Sequence, residues 1–341
     1  MPIRHLIAAF AGLFLAASAA AAQAPAPRFE GPVLRTNFAD PFVLFAGGRY
    51  LAYATNMHGD RANVPMAFSP DLVTWNLLAV PGNPDAFHDA MPTLPGWAQR
   101  GSTWAPEVMQ IGDRYVLYFT ARHRASGRQC IGAATARDPR GPFLAQGDEP
   151  LVCQQRLGGT IDASPFRDSG GTLYLYFKND GNAIRSPTQI WGQRMRADGL
   201  ALEGEAVALS RNDADWEGHI AEAPFMIARN GKYYLFYSAN DFAWQDRQPL
   251  SQYATGYARC EGPLGPCQDA PENPILASRR QPHCLSGPGH PAIFEAGGRH
   301  YIVFHAWATR RGCRPGEHAR YMHILPIEWN GDAPVIGGAP R

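Results

Sequence analysis

Five stretches of the chain share one pattern of apolar and polar positions. GRYLAYATN (48–56), DRYVLYFTA (113–121), GTLYLYFKN (171–179), GKYYLFYSA (231–239) and GRHYIVFHA (298–306) are aromatic and β-branched runs, each entered through a turn containing Gly or Asp. Short runs of this kind, bounded by turn residues, predict strands. Aligned on Tyr50, Tyr115, Tyr174, Tyr234 and Tyr301, each has a proline nine or ten residues upstream, in the words ADPFV, WAPEV, ASPFR, EAPFM and GHPAI. Proline is tolerated at the first residue of a strand but not in its middle, and it holds the preceding residue extended. The predicted unit is a short strand opened by X-Pro, a tight turn and a long aromatic strand.

Pro41, Pro106, Pro165, Pro224 and Pro291 recur at intervals of 65, 59, 59 and 67 residues. A strand pair repeated at a near-constant period reads as a repeat architecture. Radial repetition of small sheets is how a propeller limits exposed edges. The pattern therefore predicts an all-β fold, a five-bladed β-propeller filling residues 34–330, with 331–341 closing the last blade. A β-sandwich is the competing all-β arrangement, but it has no reason to repeat one strand pair five times. Helical periodicity is poor throughout, and the 35 glycines and 30 prolines are spread along the chain rather than pooled in a linker.

The first 22 residues depart from this pattern. Arg4, the apolar run Leu6–Ala17 and the small residues Ala20–Ala22 have the layout of a cleavable secretory signal. Residues 23–33, beginning QAPAP, read as a spacer. We expect a secreted or periplasmic protein with no membrane segment in its mature form, working as a monomer. The formal net charge of +1 argues against nucleic acid, which calls for a basic footprint. Six cysteines in an exported chain point to disulfides. Six allow fifteen pairings, and closeness in sequence favours Cys130–Cys153, Cys260–Cys267 and Cys284–Cys313.

Candidate chemistry sits beside the prolines. In a propeller the innermost strand of each blade runs along the central axis, so equivalent strand ends surround one funnel. Directly before the five prolines stand Asp40, Ala105, Ser164, Ala223 and His290, and one position earlier Ala39, Trp104, Ala163, Glu222 and Gly289. Asp162 lies one residue further back. Three acids, a histidine and a tryptophan should thus converge on one pocket. Two carboxylates across a funnel are what glycoside hydrolysis requires, one to protonate the leaving oxygen and one opposite as base or nucleophile. Glu107, Asp60 and Asp138 look structural, and Asp180-Gly181 reads as a turn.

The words ADPFV, STWAPEV, GTIDASPF with YFKNDGN, AEAPFM with YYLFYSAN, and GPGHPA, in this order, resemble the five-bladed-propeller glycoside hydrolases of family 43 over nearly the whole chain after residue 22. The family includes arabinofuranosidases, xylosidases and arabinanases. The resemblance implies Asp40 as general base, Glu222 as general acid and Asp162 as the carboxylate that orients the acid and raises its pKa. It also implies inversion, for which base and acid stand roughly 6.5–9.5 Å apart. His290 resembles the histidine beneath the sugar pocket, a candidate for holding a calcium ion or water in the central channel. Arg320 resembles the arginine that reaches the sugar from the last blade, and Lys178, Asp180 and Asn182 fall near the rim. Phe42 and Trp104 are candidate walls for a sugar ring, with Trp216, Trp244 and Trp307 at outer positions. The chemistry needs no cofactor.

The expected activity is exo-acting release of terminal α-L-arabinofuranose from plant-type arabinose- or xylose-containing oligo- or polysaccharides. β-Xylosidase, endo-arabinanase and β-galactofuranosidase are alternatives within the same chemistry. A non-catalytic sugar-binding propeller would lack one of the three acids, and a fructan-processing enzyme on a similar propeller would retain configuration.

Overall fold

The computed structural model describes residues 27, 29–56, 62–243 and 250–337. The proposed signal at 1–22, the start of the spacer and Trp244 lie outside the described residues. Strands fall into five four-stranded antiparallel sheets in sequence order, together with a separate two-stranded pair between the first and second sheets. The four-stranded sheets span 42–77, 98–146, 160–211, 221–269 and 289–336. Their first strands are Phe42–Ala46, Ala98–Ile111, Thr160–Arg167, Ala221–Arg229 and Gly289–Ala296. Each of these touches the first strands of both neighbouring sheets, and the fifth touches the first, closing a ring of five. This is the predicted five-bladed β-propeller. The fourth strand of the last blade, Ala333–Ile336, comes from the C-terminal segment.

Among the described residues no disulfide joins the first blade to the last. The N-terminal segment instead lies along the third strand of the fifth blade, with Val33 N–H donating to Met322 O at 2.9 Å and Phe38 N–H to Arg320 O at 2.8 Å. Phe38 is fully buried beside the first and last blades. All three cysteine pairings expected from closeness in sequence are present.

The inner strands share one distortion that decides where the acids go. In the second to fifth blades, Trp104, Ile161, Glu222 and Gly289 pair with Thr120, Lys178, Ser238 and His305 on the second strand. In the first blade the same relation joins Ala39 O to Thr55 N–H. Two residues then leave the ladder before pairing resumes at Phe42, Glu107, Ser164, Phe225 and Ala292. The first residue of each bulge has positive φ, between 45° and 58°: Asp40, Ala105, Asp162, Ala223 and His290. Such backbone costs a non-glycine residue about 1–3 kcal/mol and persists only where its surroundings over-determine it.

The surroundings here are a fivefold set of hydrogen bonds between blades. The bulge N–H groups of Asp40, Ala105, Asp162 and His290 point to His305 Nδ1 (3.1 Å), Thr55 Oγ1 (3.0 Å), Thr120 Oγ1 (3.2 Å) and Ser238 Oγ (2.7 Å). Each acceptor is the equivalent second-strand residue of the preceding blade. The fifth such residue is Lys178, whose ammonium cannot accept. Asp162 Oδ2 takes its place, receiving Ala223 N–H at 2.9 Å.

This register corrects the alignment on prolines. In the third blade Pro165 lies two residues past its counterparts, after pairing has resumed. Asp162, not Ser164, is therefore the equivalent of Asp40 and His290. Pairing also makes Leu173, Tyr233 and His300, rather than Tyr174, Tyr234 and Tyr301, the counterparts of Tyr50 and Tyr115 in the second strands.

Candidate active site

The bulges bring Asp40, Asp162, Glu222 and His290 to one cavity of about 490 Å³ at the centre of the ring. All four side chains are nearly buried, at 8–9 % exposure.

Asp40 sits among cations. Arg320 Nη1 donates to its Oδ1 at 3.1 Å, and the Nδ1 atoms of His305 and His290 lie 3.1 and 3.4 Å from the same oxygen. The Thr55 hydroxyl donates to Oδ2 while accepting Ala105 N–H. Burial pushes the Asp40 carboxyl up, but the Arg320 guanidinium, with His290 beside it, outweighs this and holds it well below the usual carboxylate range. Burial lowers His305 to about 4, so its ring is neutral. A neutral Nδ1 cannot both accept from Asp40 N–H and donate to Oδ1. The matching contacts in the other blades favour the accepting tautomer.

Glu222 has both oxygens engaged. Lys178 Nζ donates to Oε2 at 2.8 Å and the Tyr253 hydroxyl to Oε1 at 2.7 Å. Lys178 is fully buried, and Asn182, in the 3-10 turn Gly181–Ile184 that follows the second strand of the third blade, accepts a second Nζ hydrogen bond at 2.7 Å. Burial raises the Glu222 carboxyl, but the Lys178 charge and these hydrogen bonds bring it below its ordinary value. Asp162 moves the other way. Burial, reinforced by the Glu222 and Asp40 charges and opposed by His290 and Lys178, raises it to about 6.

Tyr253 reaches Glu222 only because residue 289 is glycine. A Cβ at Gly289 would stand 2.0 Å from the Tyr253 ring. Gly289→Ala is expected to displace the ring and break its hydrogen bond to Glu222. Loss of a bond to a charged group should cost about 10- to 100-fold in kcat/KM, and overpacking about 1–3 kcal/mol of stability. Parallel kinetics and thermal melts check this, and unchanged turnover would mean that the Tyr253 contact is dispensable.

Of the other expected residues, Trp104, Arg320 and Trp307 line the cavity. Phe42 does not. Its ring packs on Tyr53 and Phe225 at 6.3 and 6.5 Å, because it stands where the blade ladder resumes. Trp216 is likewise a packing residue, against Tyr237 and Gly256. Glu107 is buried at the junction of the second and third blades, accepting the Ser164 hydroxyl at 3.0 Å. Asp180, read as a turn, lines the cavity, as do Phe242 and Tyr253, which sequence reasoning missed. Lys178 carried one available signal: it is the only charged residue at a second-strand end otherwise occupied by Thr, Thr, Ser and His.

Calcium prefers about six to eight oxygen ligands. Around His290 the donors are imidazole and an Asp40 carboxylate already engaged by Arg320 and Thr55. An ion held beside His290 would therefore take most of its ligands from water.

The chain matches the model of glycosyl hydrolases family 43 over residues 29–334. A crystal structure of a thermostable family-43 glycoside hydrolase superposes with a TM-score of 0.73 at 30 % identity, covering 90 % of this chain and 95 % of that one. The structure of an endo-1,4-β-xylanase from Bacteroides thetaiotaomicron gives a TM-score of 0.71 at 28 % identity over 92 % and 97 % of the two chains. Among curated relatives, a β-D-galactofuranosidase of Aspergillus niger is 27 % identical, covering 80 % of this chain and 75 % of its own. A putative β-xylosidase of Xylanibacter ruminicola is 26 % identical, and this chain spans 89 % of itself but only 50 % of that protein.

Proposed function

The chain belongs to glycosyl hydrolases family 43 and is a glycoside hydrolase, and from that premise we propose an inverting, exo-acting α-L-arabinofuranosidase. The observation that carries the exo reading is the cavity. At about 490 Å³ it lies in the lower half of the range for small-ligand pockets. It suits one terminal sugar with the start of its aglycone better than an internal stretch of polymer. Relatives named for arabinofuranosidase and arabinanase activity support the sugar assignment.

In the proposed reaction Asp40 removes a proton from water, whose oxygen attacks the anomeric carbon. The glycosidic C–O bond breaks on the opposite face, and Glu222 gives its proton to the departing oxygen. Arg320 keeps Asp40 ionised, so the base is available at any working pH. Asp162 positions the acid through the backbone, since its Oδ2 holds the N–H of Ala223, the residue after Glu222. Three disulfides and the signal-like N-terminus support an exported enzyme.

Hydrolysis of nitrophenyl α-L-arabinofuranoside, β-D-xyloside and β-D-galactofuranoside, with linear arabinan alongside, tests the assignment. Preference for either of the other two glycosides, or internal cleavage of arabinan, would replace it.

The charges around Glu222 also set a pH dependence. Lys178 favours the Glu222 carboxylate, whereas the Asp162 charge favours its protonated form. Asp162 is raised to about 6, whereas Glu222 lies below its ordinary value. A donor must be protonated, so kcat/KM should fall on the alkaline side as Glu222 loses its proton. Lys178→Met removes the positive charge, raises the proton affinity of Glu222 and should shift this limb to higher pH. Asp162→Asn should shift it to lower pH. Profiles of both variants that overlay wild type would detach the limb from this pair.

A further inference from the structure

A second cavity of about 700 Å³ adjoins the catalytic one, and Asn182 lines both. Its position relative to the chemistry follows from two hydrogen bonds: Glu222 Oε2 to Lys178 Nζ at 2.8 Å, and Lys178 Nζ to Asn182 Oδ1 at 2.7 Å. The second cavity thus opens on the Glu222 side. If Glu222 protonates the leaving oxygen, the leaving glycan must depart on that side.

The charged residues lining this cavity are Arg185 and Arg211 against one acid, Asp213, with His219 beside them. Arg211 is paired with Asp213 at 2.9 Å. Arg185 is exposed, and its guanidinium has no ion pair among the described residues. It is presented by a constrained turn rather than by a loose surface loop. Arg185 has positive φ, at 58°, an uncommon conformation for a side-chain-bearing residue. Ser186 N–H donates to Gly181 O at 2.9 Å, and Asn179 Nδ2 holds Pro187 O at 3.1 Å. Gly181 packs so closely that a Cβ would stand 2.2 Å from Pro187 O.

A guanidinium fork on a constrained turn suits a carboxylate, which it can hold with two parallel hydrogen bonds. We infer that this cavity is a leaving-group subsite selective for a glycan that carries a uronic acid, with Arg185 as its principal contact. The inference rests on the assignment of Glu222 as proton donor. The uronate can be a galacturonate in the aglycone backbone or a glucuronate branch, and the two call for the same recognition.

The test compares arabinofuranosyl oligosaccharides whose aglycone is neutral, glucuronate-bearing or galacturonate-bearing. Wild type should show at least about tenfold higher kcat/KM on one acidic series than on the neutral one, as expected for a hydrogen bond to a charged group. The favoured series identifies the source of the uronate. The preference should disappear in Arg185→Ala and be strongly reduced in about 0.5 M salt, where exposed charges are screened. Rates on nitrophenyl arabinofuranoside should not change. Equal rates on acidic and neutral aglycones, or a preference that survives Arg185→Ala, would overturn the subsite. Titration with tri-galacturonate and with a glucuronate-bearing xylo-oligosaccharide, followed by calorimetry, needs no turnover. Binding lost in Arg185→Ala would support the subsite even if every arabinoside proved inert, and that inertness would count against the proposed function alone. Absence of binding by both ligands would overturn the subsite.

Discussion

Asp40→Asn is expected to lower kcat by about 10²–10⁴-fold, the contribution typical of a positioned general base. The amide is nearly isosteric: its oxygen can still accept from Arg320, and its NH2 group takes the place of Oδ2 beside the Thr55 hydroxyl oxygen, so the bulge and the ring should survive. What it lacks is a site for the proton of the attacking water. The loss should be similar for good and poor leaving groups, because activation of water is needed for both. Asp40→Ala offers a second readout. Azide can enter the vacated space and attack without giving up a proton, yielding a glycosyl azide of inverted configuration. NMR of the product identifies the anomer. Activity of Asp40→Asn within about tenfold of wild type would remove Asp40 from the role of base.

The second large effect is at Glu222, and it should depend on the substrate. Glu222→Gln cannot donate a proton, so cleavage of an oligosaccharide should fall by about 10²–10⁴-fold. A nitrophenolate departs with little need of protonation, and the loss on nitrophenyl glycosides should be much smaller. The substitution also leaves the fully buried Lys178 ammonium without its hydrogen-bonded ion-pair partner. Breaking one side of a buried pair costs about 3–5 kcal/mol, so misfolding must be separated from lost chemistry. Glu222→Gln combined with Lys178→Met removes both charges and should melt closer to wild type while remaining equally inactive on oligosaccharides. Equal losses on both substrate classes in this folded double variant would show that Glu222 is not the donor.

The pair Lys178–Glu222 refines the part played by Asp162. From the sequence, the resemblance implies that Asp162 raises the proton affinity of Glu222. Its charge does act in that direction, yet Lys178 opposes it more strongly, and Glu222 lies below its ordinary value. The most concrete contact of Asp162 is to the backbone, where it fills the acceptor place that Lys178 cannot. One substitution in the repeat, a lysine for a hydroxyl-bearing residue, thus comes with a second at the adjoining bulge. An acid there supplies both the missing acceptor and a countercharge.

The repeat was legible because strands with aromatic cores and X-Pro entries recur with a nearly constant period. That periodicity is enough to specify the propeller, since each sheet can bury its faces only against its neighbours. The three acids were legible for the same reason, as they occupy the strand ends that a ring must bring together. The cysteine pairs followed from nearness along the chain. These are local or periodic properties, and a one-dimensional sequence contains them directly.

What lay beyond it depends on register and on contacts between distant segments. Pro165 marks the third blade in sequence but is displaced by two residues in the ladder, because pairing, not proline, fixes where the bulge falls. Phe42 has the composition of a sugar platform, yet it stands one step past the bulge and its ring turns into the core. Tyr253 and Phe242 lie on segments with no counterpart in the repeat, so periodicity could not point to them. The sequence by itself determined a five-bladed ring and the acids at its centre. The tertiary structure decided their proton affinities and neighbours, because those depend on burial and on charges brought together from different blades.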